Sequence, residues 1–362
     1  MMHVRLGERS YAIAVERSYR RLPSALKRLG LGPVGWVVSH RRLLNRHGSA
    51  LLDGLRRAGW TLHTVTVPEA ESSKSLAMAQ RLIEQLSRRP LMRAPVLLAF
   101  GGGVVGDLTG FVAAIYRRGV PYIQLPTTLL AQVDSAIGGK VGVDLPQAKN
   151  FVGAFYQPRL VWNNLALLHT LPPRQRRSGL AEVIKYGVMA DPELFDLVES
   201  RMADCLALED RAVQMMVERA CRIKAGVVGR DERETRDVRI RLNFGHTIGH
   251  ALEAATGYAR WTHGEAISIG MCAAASLAQE LGLLSAGEAR RLERVIRSAG
   301  LPVHAWGVRP HTILAALRYD KKFIHGRPRW VLPTRIGRVT VAEAVPETLV
   351  RRVLNRLLSR ER

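Results

Sequence analysis

Short aliphatic and β-branched runs alternate with amphipathic stretches through the first half of the chain. Runs at 35–38, 62–67, 96–100, 122–125 and 160–162 read as strands. Apolar positions at helical spacing lie between several of them, at 50–58, 75–86 and 108–117. This alternation predicts a mostly parallel sheet with helices on both faces. Beyond Leu171-Pro172-Pro173 the texture changes to long amphipathic stretches with few β-like runs. An α/β domain over 1–172 and a mainly α-helical domain over 173–362 are therefore expected. Within the second, 329–333 and 338–341 predict a small hairpin, and 347–362 predicts a terminal helix packed on the body. The longest apolar run, 266–278, is shorter than the ~20 residues a membrane span needs and predicts a buried helix.

Hydrophobic content of 47% with 23% charged residues is that of a folded, soluble chain. The formal charge of +23 attracts anions, and a pI near 11.0 raises nucleic-acid binding as a class. The arginines are spread over the whole chain, however, and no zinc-finger spacing, helix-turn-helix signature or aromatic-interleaved basic motif accompanies them. An anionic small-molecule substrate is the expectation, with neither nucleic acid nor membrane as partner. Three cysteines, odd in number and outside any C-x-x-C spacing, read as reduced thiols. The N-terminal residues lack the apolar core of a signal peptide, and a cytoplasmic location is expected. Of the basic residues 46 are Arg and only eight are Lys. Seven of those lysines (74, 140, 149, 185, 224, 321 and 322) sit in short stretches rich in Gly, His, Asn or acidic residues. Such placement marks sites where a compact ammonium cannot be exchanged for a flat guanidinium.

The run 96–100 leads directly into GGGVVGD at 101–107 and then a helical pattern. Gly101, Gly103 and Gly106 satisfy G-x-G-x-x-G between a strand and a helix, the context in which amides at a helix N-terminus receive a pyrophosphate. This makes the first domain Rossmann-like. The acidic residue usual about twenty positions on is absent, and Pro126-Thr127-Thr128 occupies that region. In the second domain NFGHTIGH at 243–250, followed by HGE at 263–265, is the densest polar cluster. A helix would put His246 and His250 on one face at i, i+4, a spacing that can chelate zinc. Three histidines within eighteen residues favour a divalent metal over core packing, and Glu182 is the best oxygen donor elsewhere. The competing reading of Glu182 with Lys185 is a helix-surface ion pair of little worth.

With these blocks, DSAIGGK at 134–140, KNFVGAFYQP at 149–158, GLAEVIKYG at 179–187 and Asp320-Lys321-Lys322, the chain resembles the 3-dehydroquinate synthase family, within the wider sugar-phosphate cyclase group. The resemblance spans roughly 68–337. It implies that Glu182, His246 and His263 bind zinc, with cobalt as an alternative ion, and that His250 moves from ligand to substrate contact. It implies that NAD is held by Glu71, Lys74, Gly102, Gly103, Asp107, Thr127, Thr128 and Thr170, with Asp134 and Lys149 near the nicotinamide. It further implies that Lys140, Asn150, Lys185, Lys224, Arg239, Asn243, His250 and one of Lys321 and Lys322 surround the substrate together with Asp134. Arg118 matches an arginine that reaches the phosphate in the partner subunit's site, which implies a homodimer.

The implied activity is a phosphate-eliminating lyase of the shikimate pathway, in aromatic amino-acid and chorismate biosynthesis. It turns 3-deoxy-D-arabino-heptulosonate 7-phosphate into 3-dehydroquinate, with NAD reduced and reoxidised within each turnover. Three departures from the family pattern stand out. Ser39-His40 replaces an Asp or Asn after the first strand, one residue is inserted within 231–237, and Asp144 and Ala148 replace a common Asn and Gly. The alternatives are a sister cyclase such as 2-deoxy-scyllo-inosose synthase, a metal-dependent polyol dehydrogenase and, last, a basic nucleic-acid-binding protein.

Overall fold

The computed structural model describes residues 1–88, 95–145, 148–318, 323–324 and 327–359. Backbone contacts divide the chain into two compact units, Met1–Leu171 with Lys224–Arg233, and Pro172–Ile223 with Glu234–Arg362.

The first unit contains β1 (Met2–Val4), β2 (Tyr11–Glu16), α1 (Leu22–Arg28), β3 (Val34–Ser39), α2 (Arg41–Arg57), β4 (Thr61–Thr66), α3 (Leu76–Ser87) and β5 (Val96–Gly101). It continues through α4 (Gly103–Ile115), β6 (Tyr122–Pro126), β7 (Lys140–Leu145), β8 (Ala148–Phe155) and β9 (Leu160–Asn164). Seven of these strands form one sheet in the order β1-β2-β9-β6-β5-β3-β4. Every pairing in it is parallel except β1 with β2. The continuous apolar runs of β3 and β5 follow from burial on both faces. Trp36, Val38, Leu97 and Ala99 pack in one core with residues of α3 and α4, whereas Val37, Leu98 and Phe100 pack in another with residues of α1 and α2.

The expected strands and helices are present, with two kinds of difference. Helix α2 starts nine residues before the predicted 50, because its first turns are polar and hide the apolar stripe. Helix α4 starts at Gly103, where a glycine-rich stretch reads as turn. The antiparallel β7–β8 hairpin was not anticipated, because Gly142 and Gly153 interrupt its strand patterns.

The second unit is built from α5 (Pro173–Ala190), α6 (Pro192–Ser200), α7 (Met202–Ala207) and α8 (Asp210–Arg230), whose residues from Lys224 belong to the first unit. After α8 come α9 (His246–Ala255), α10 (His263–Glu280), α11 (Ala286–Ser298), α12 (Pro310–Arg318) and α13 (Glu347–Leu357). The expected late hairpin pairs Trp330–Arg335 antiparallel with Arg338–Ala342. Helix α10 contains the long apolar run and packs against α5, α9, α11 and α13. Asp191 caps α6 by accepting from Leu194 N at 3.1 Å and also accepts two bonds from Arg219 at 2.7 and 2.8 Å. Arg219 and the Leu194 amide outweigh burial and hold the Asp191 carboxyl below its ordinary pKa.

All three cysteines are buried and none is in a disulfide, and burial pushes the Cys205 thiol up to about 11. Among the described residues no helix is long and apolar enough to cross a membrane.

Candidate active-site residues

Glu182 on α5 is fully buried, as is Lys185 one turn later, with 0% and 1% of their surfaces exposed. That burial excludes the solvated surface pair. The Lys185 ammonium touches Oε2 of Glu182. Oε1 faces two imidazoles, with His246 Nε2 at 3.5 Å and His263 Nε2 at 3.4 Å. The Lys185 contact apart, neither carboxylate oxygen has a hydrogen-bond partner, and a buried carboxylate is costly unless its remaining lone pairs are filled.

Ligands bound at about 2.0–2.1 Å to a tetrahedral ion stand about 3.3 Å apart. The two gaps therefore match the edges of a coordination shell. His246 Nδ1 lies 3.0 Å from Phe244 O, so the ring donates from Nδ1 and leaves the Nε2 lone pair toward Glu182. The donor set of one carboxylate and two imidazoles fits a catalytic divalent ion.

Local sequence explains the convergence. Ser178 stands one turn before Glu182 on α5, and its Oγ accepts from Gly264 N at 3.1 Å. A Cβ on Gly264 would lie 2.1 Å from Ser178 O. Only glycine lets α10 start this close to α5, which brings His263 to Glu182. Thr262 caps α10 in a reciprocal box with Glu265, and Arg174 clamps Glu265 through bonds of 2.6 and 2.7 Å. On α10 a glycine is needed again where the start of α9 approaches, since a Cβ on Gly270 would meet Gly245 O at 1.9 Å.

Among the described residues two clusters have metal-ligating atoms within 4.8 Å of one another: Glu182–His246–His263 and His250–Glu253–His263. His246 and His250, the i, i+4 pair, fall in different clusters although their rings are 5.1 Å apart. Burial opposes protonation of His263, but Glu253 first, then Glu182, push its pKa up to about 10. Arg239 is buried in the short helical segment Arg239–Asn243, with Glu234 at 3.9 Å. Asn243 ends that segment, directly before the turn into α9. Lys321 and Lys322 lie outside the described residues.

In the first unit β5 ends at Gly101, and α4 begins with Gly102 as its N-cap, unaided by any side chain. Its first amides are thus free of capping oxygens and suited to an anion. Thr127 N donates to Gly101 O at 3.0 Å, and Thr128 Oγ1 accepts from Ala131 N at 3.1 Å. These bonds hold the two threonines beside the glycine turn. The buried Lys74 donates to Asp107 Oδ2 at 2.5 Å and to the Asn150 side-chain oxygen. Burial works against the Lys74 charge, but Asp107 more than offsets this and the pKa is raised. Lys149 pairs with Glu71 at 2.9 Å.

Lys224, also buried, reaches both the carbonyl and Oδ1 of Asp134 at 2.7 Å. Asp134 itself sits in the single π-helical turn Ala131–Ser135. Thr170 bonds His47 Nε2 at 2.9 Å. Lys140 is exposed at the start of β7, and Arg118 is exposed with a left-handed φ of 63°.

Several contributors escaped the sequence reasoning. Asp144, noted only as a departure, accepts from Asn150 N at 2.7 Å and anchors Asn150, whose φ is 52°. Glu253 lies three residues after His250 and seven after His246, a spacing that would have placed it on the same helix face. Ser178 carries no sequence signal beyond proximity to the motifs, whereas Thr262 and Glu265 form the T-x-x-E pattern of a capping box ahead of the apolar run.

The N-terminal model of the 3-dehydroquinate synthase family matches residues 64–178, and its C-terminal model matches 179–323. The chain is 43% identical over 349 residues to a 3-dehydroquinate synthase of Caldanaerobacter subterraneus, with 96% of this chain and 98% of the relative covered. A 3-dehydroquinate synthase of Nostoc punctiforme is 44% identical over 358 residues, with 98% of each covered. Among solved structures, the 2-epi-5-epi-valiolone synthase of Streptomyces hygroscopicus subsp. jinggangensis, with NAD+ and Zn2+ bound, superposes with a TM-score of 0.88 at 28% identity, covering 96% of each chain. A 2-deoxy-scyllo-inosose synthase complexed with carbaglucose-6-phosphate, NAD+ and Co2+ gives the same score at 23% identity, over 99% of this chain and 100% of that one, a likeness of fold alone. The family models together with relatives aligned from end to end decide the matter: this chain belongs to the 3-dehydroquinate synthase family.

Proposed function

We propose that the chain converts 3-deoxy-D-arabino-heptulosonate 7-phosphate to 3-dehydroquinate and phosphate, using NAD and a divalent ion. The observation that carries this reading is the fully buried Glu182 carboxylate whose Oε1 faces two imidazoles in a chain of this family. When bound, NAD supplies reversible oxidation of one substrate alcohol, and the ion polarises the hydroxyls it touches.

Glu182, His246 and His263 hold the ion. Glu71, Lys74, Gly102, Gly103, Asp107, Thr127, Thr128, Asp134, Lys149 and Thr170 hold the nucleotide. Gly102 and Gly103 bring backbone amides to its pyrophosphate. Lys140, Asn150, Lys185, Lys224, Arg239, Asn243, His250 and one of Lys321 and Lys322 bind and orient the substrate. Arg239 offers a bidentate fork to the carboxylate, and the compact ammonium of Lys140 suits the phosphate. Ring closure then depends mainly on holding the reacting carbons together. Arg118 acts across a homodimer, and the enzyme works in the cytoplasm.

The test is a phosphate-release assay on the heptulosonate phosphate, with zinc and NAD each supplied and withheld. Release that requires both, without net NADH, is expected. Release only from sugar phosphates lacking a carboxylate would reassign the chain to a sister cyclase. Stoichiometric NADH from a simple polyol would make it a dehydrogenase.

A further inference from the structure

His263 belongs to both clusters of metal-ligating groups, and its two ring nitrogens face different carboxylates. Nε2 lies 3.4 Å from Glu182 Oε1, and Nδ1 lies 3.5 Å from Glu253 Oε2. Glu253 sits on α9, two turns after His246, and is only 7% exposed. Its carboxylate has His263 as its ion-pair partner among the described residues. A nearly buried carboxylate is costly to keep without a function for its charge.

We infer that Glu253 is the positioning residue of the metal centre, accepting a hydrogen bond from Nδ1 of His263 so that Nε2 is the nitrogen that binds the ion. The inference rests on the reading of Glu182, His246 and His263 as ligands. Three observations favour it over direct ligation by Glu253. Both Glu182 oxygens are fully buried and, the Lys185 contact apart, without a hydrogen bond, whereas the Glu253 side chain keeps some exposure. His246 already has its Nδ1 committed to Phe244 O, which turns Nε2 to the Glu182 side. One imidazole presents one lone pair when neutral, so a proton held on Nδ1 by Glu253 selects Nε2 as the ligand atom. His246 and His263 are then oriented by the same device with different acceptors, a backbone carbonyl in one case and a carboxylate in the other. Their acceptors both come from the stretch 244–253, so α9 and the turn before it set the tautomer of both rings. The carboxylate also raises the basicity of the His263 ring, which a carbonyl does less well.

Zinc affinity, measured by competition with a chromophoric chelator, tests this without reference to turnover. Full-length wild type, Glu253→Gln, Glu253→Ala and His263→Ala are compared, and metal-free thermal melts report the fold of each. Glu253→Ala is expected to weaken zinc binding about 10–100-fold. Glu253→Gln, whose side-chain oxygen still accepts from Nδ1, is expected to recover most of that loss. Equal, severe losses in Gln and Ala variants that melt normally would make Glu253 a ligand and overturn the assignment. Wild-type affinity in Glu253→Ala would overturn it as well. Undiminished affinity in His263→Ala would instead refute the underlying metal site, a separate failure.

Discussion

Nε2 of His263 stands 3.4 Å from Oε1 of Glu182. With a second carboxylate, Glu253, on its other nitrogen, the ring's pKa rises from 6.5 to about 10. Below about pH 6.5 the imidazolium is present folded or unfolded and its attraction to both carboxylates stabilises the fold fully. That stabilisation is lost as pH rises through about 10. Metal-free protein should therefore lose thermal stability across this window, and His263→Gln should flatten the slope. Zinc must displace the same proton, so its apparent affinity should rise with pH over the same range. Calorimetric melts with and without chelator check both signs.

Lys185 is packed without exposure between Glu182 and the Tyr186 ring, whose centroid is 4.8 Å from its ammonium. Arginine is larger and carries its charge in a plane. Lys185→Arg should lower turnover on the order of 100-fold by misplacing groups around the carboxylate. It should also cost about 1–3 kcal/mol in urea melts through overpacking. Wild-type rates in that variant would refute the role given to this lysine.

Gly264→Ala should act through backbone packing, with no charged group removed. Its Cβ would collide with Ser178 O, so α10 must shift from α5 and carry His263 away from Glu182. A loss of about 1–3 kcal/mol is expected, together with weaker zinc binding, by melts and metal titration. Unchanged zinc affinity would mean that the close α5–α10 approach does not set the centre.

In the first unit Asp107→Ala should strand the Lys74 charge, which has only 6% of its side chain exposed. Breaking a buried pair costs about 3–5 kcal/mol, and the Asn150 oxygen beside Lys74 should hold the loss near the lower end. The double variant Lys74→Met/Asp107→Ala should recover much of it. A double-mutant cycle on denaturation midpoints measures the coupling, and additive losses would contradict it.

Much of this architecture was legible because the relevant signals are local. Continuous apolar runs announced β3, β5 and β6, and the glycine turn at 101–106 sat where a strand met a helix. Of the singled-out lysines, Lys74, Lys185 and Lys224 are buried, each against a carboxylate, whereas Lys140, like Lys27, is exposed. What stayed hidden depends on contacts distant in sequence. Nothing near Gly264 shows that Ser178, 86 residues earlier, will press against it. The pairing of Asp134 with Lys224 spans 90 residues and has no spacing signature. The i, i+4 histidine pair was a sound local inference that tertiary packing split between two clusters. The partner that completes each cluster comes from α10, and α5 supplies the carboxylate of one.

The most direct test of the account is a crystal structure of zinc-loaded protein with anomalous data at the zinc edge. The account predicts one strong peak about 2.0–2.2 Å from Glu182 Oε1, His246 Nε2 and His263 Nε2, with Glu253 outside the shell. A peak among His250, Glu253 and His263, or none near Glu182, would contradict it.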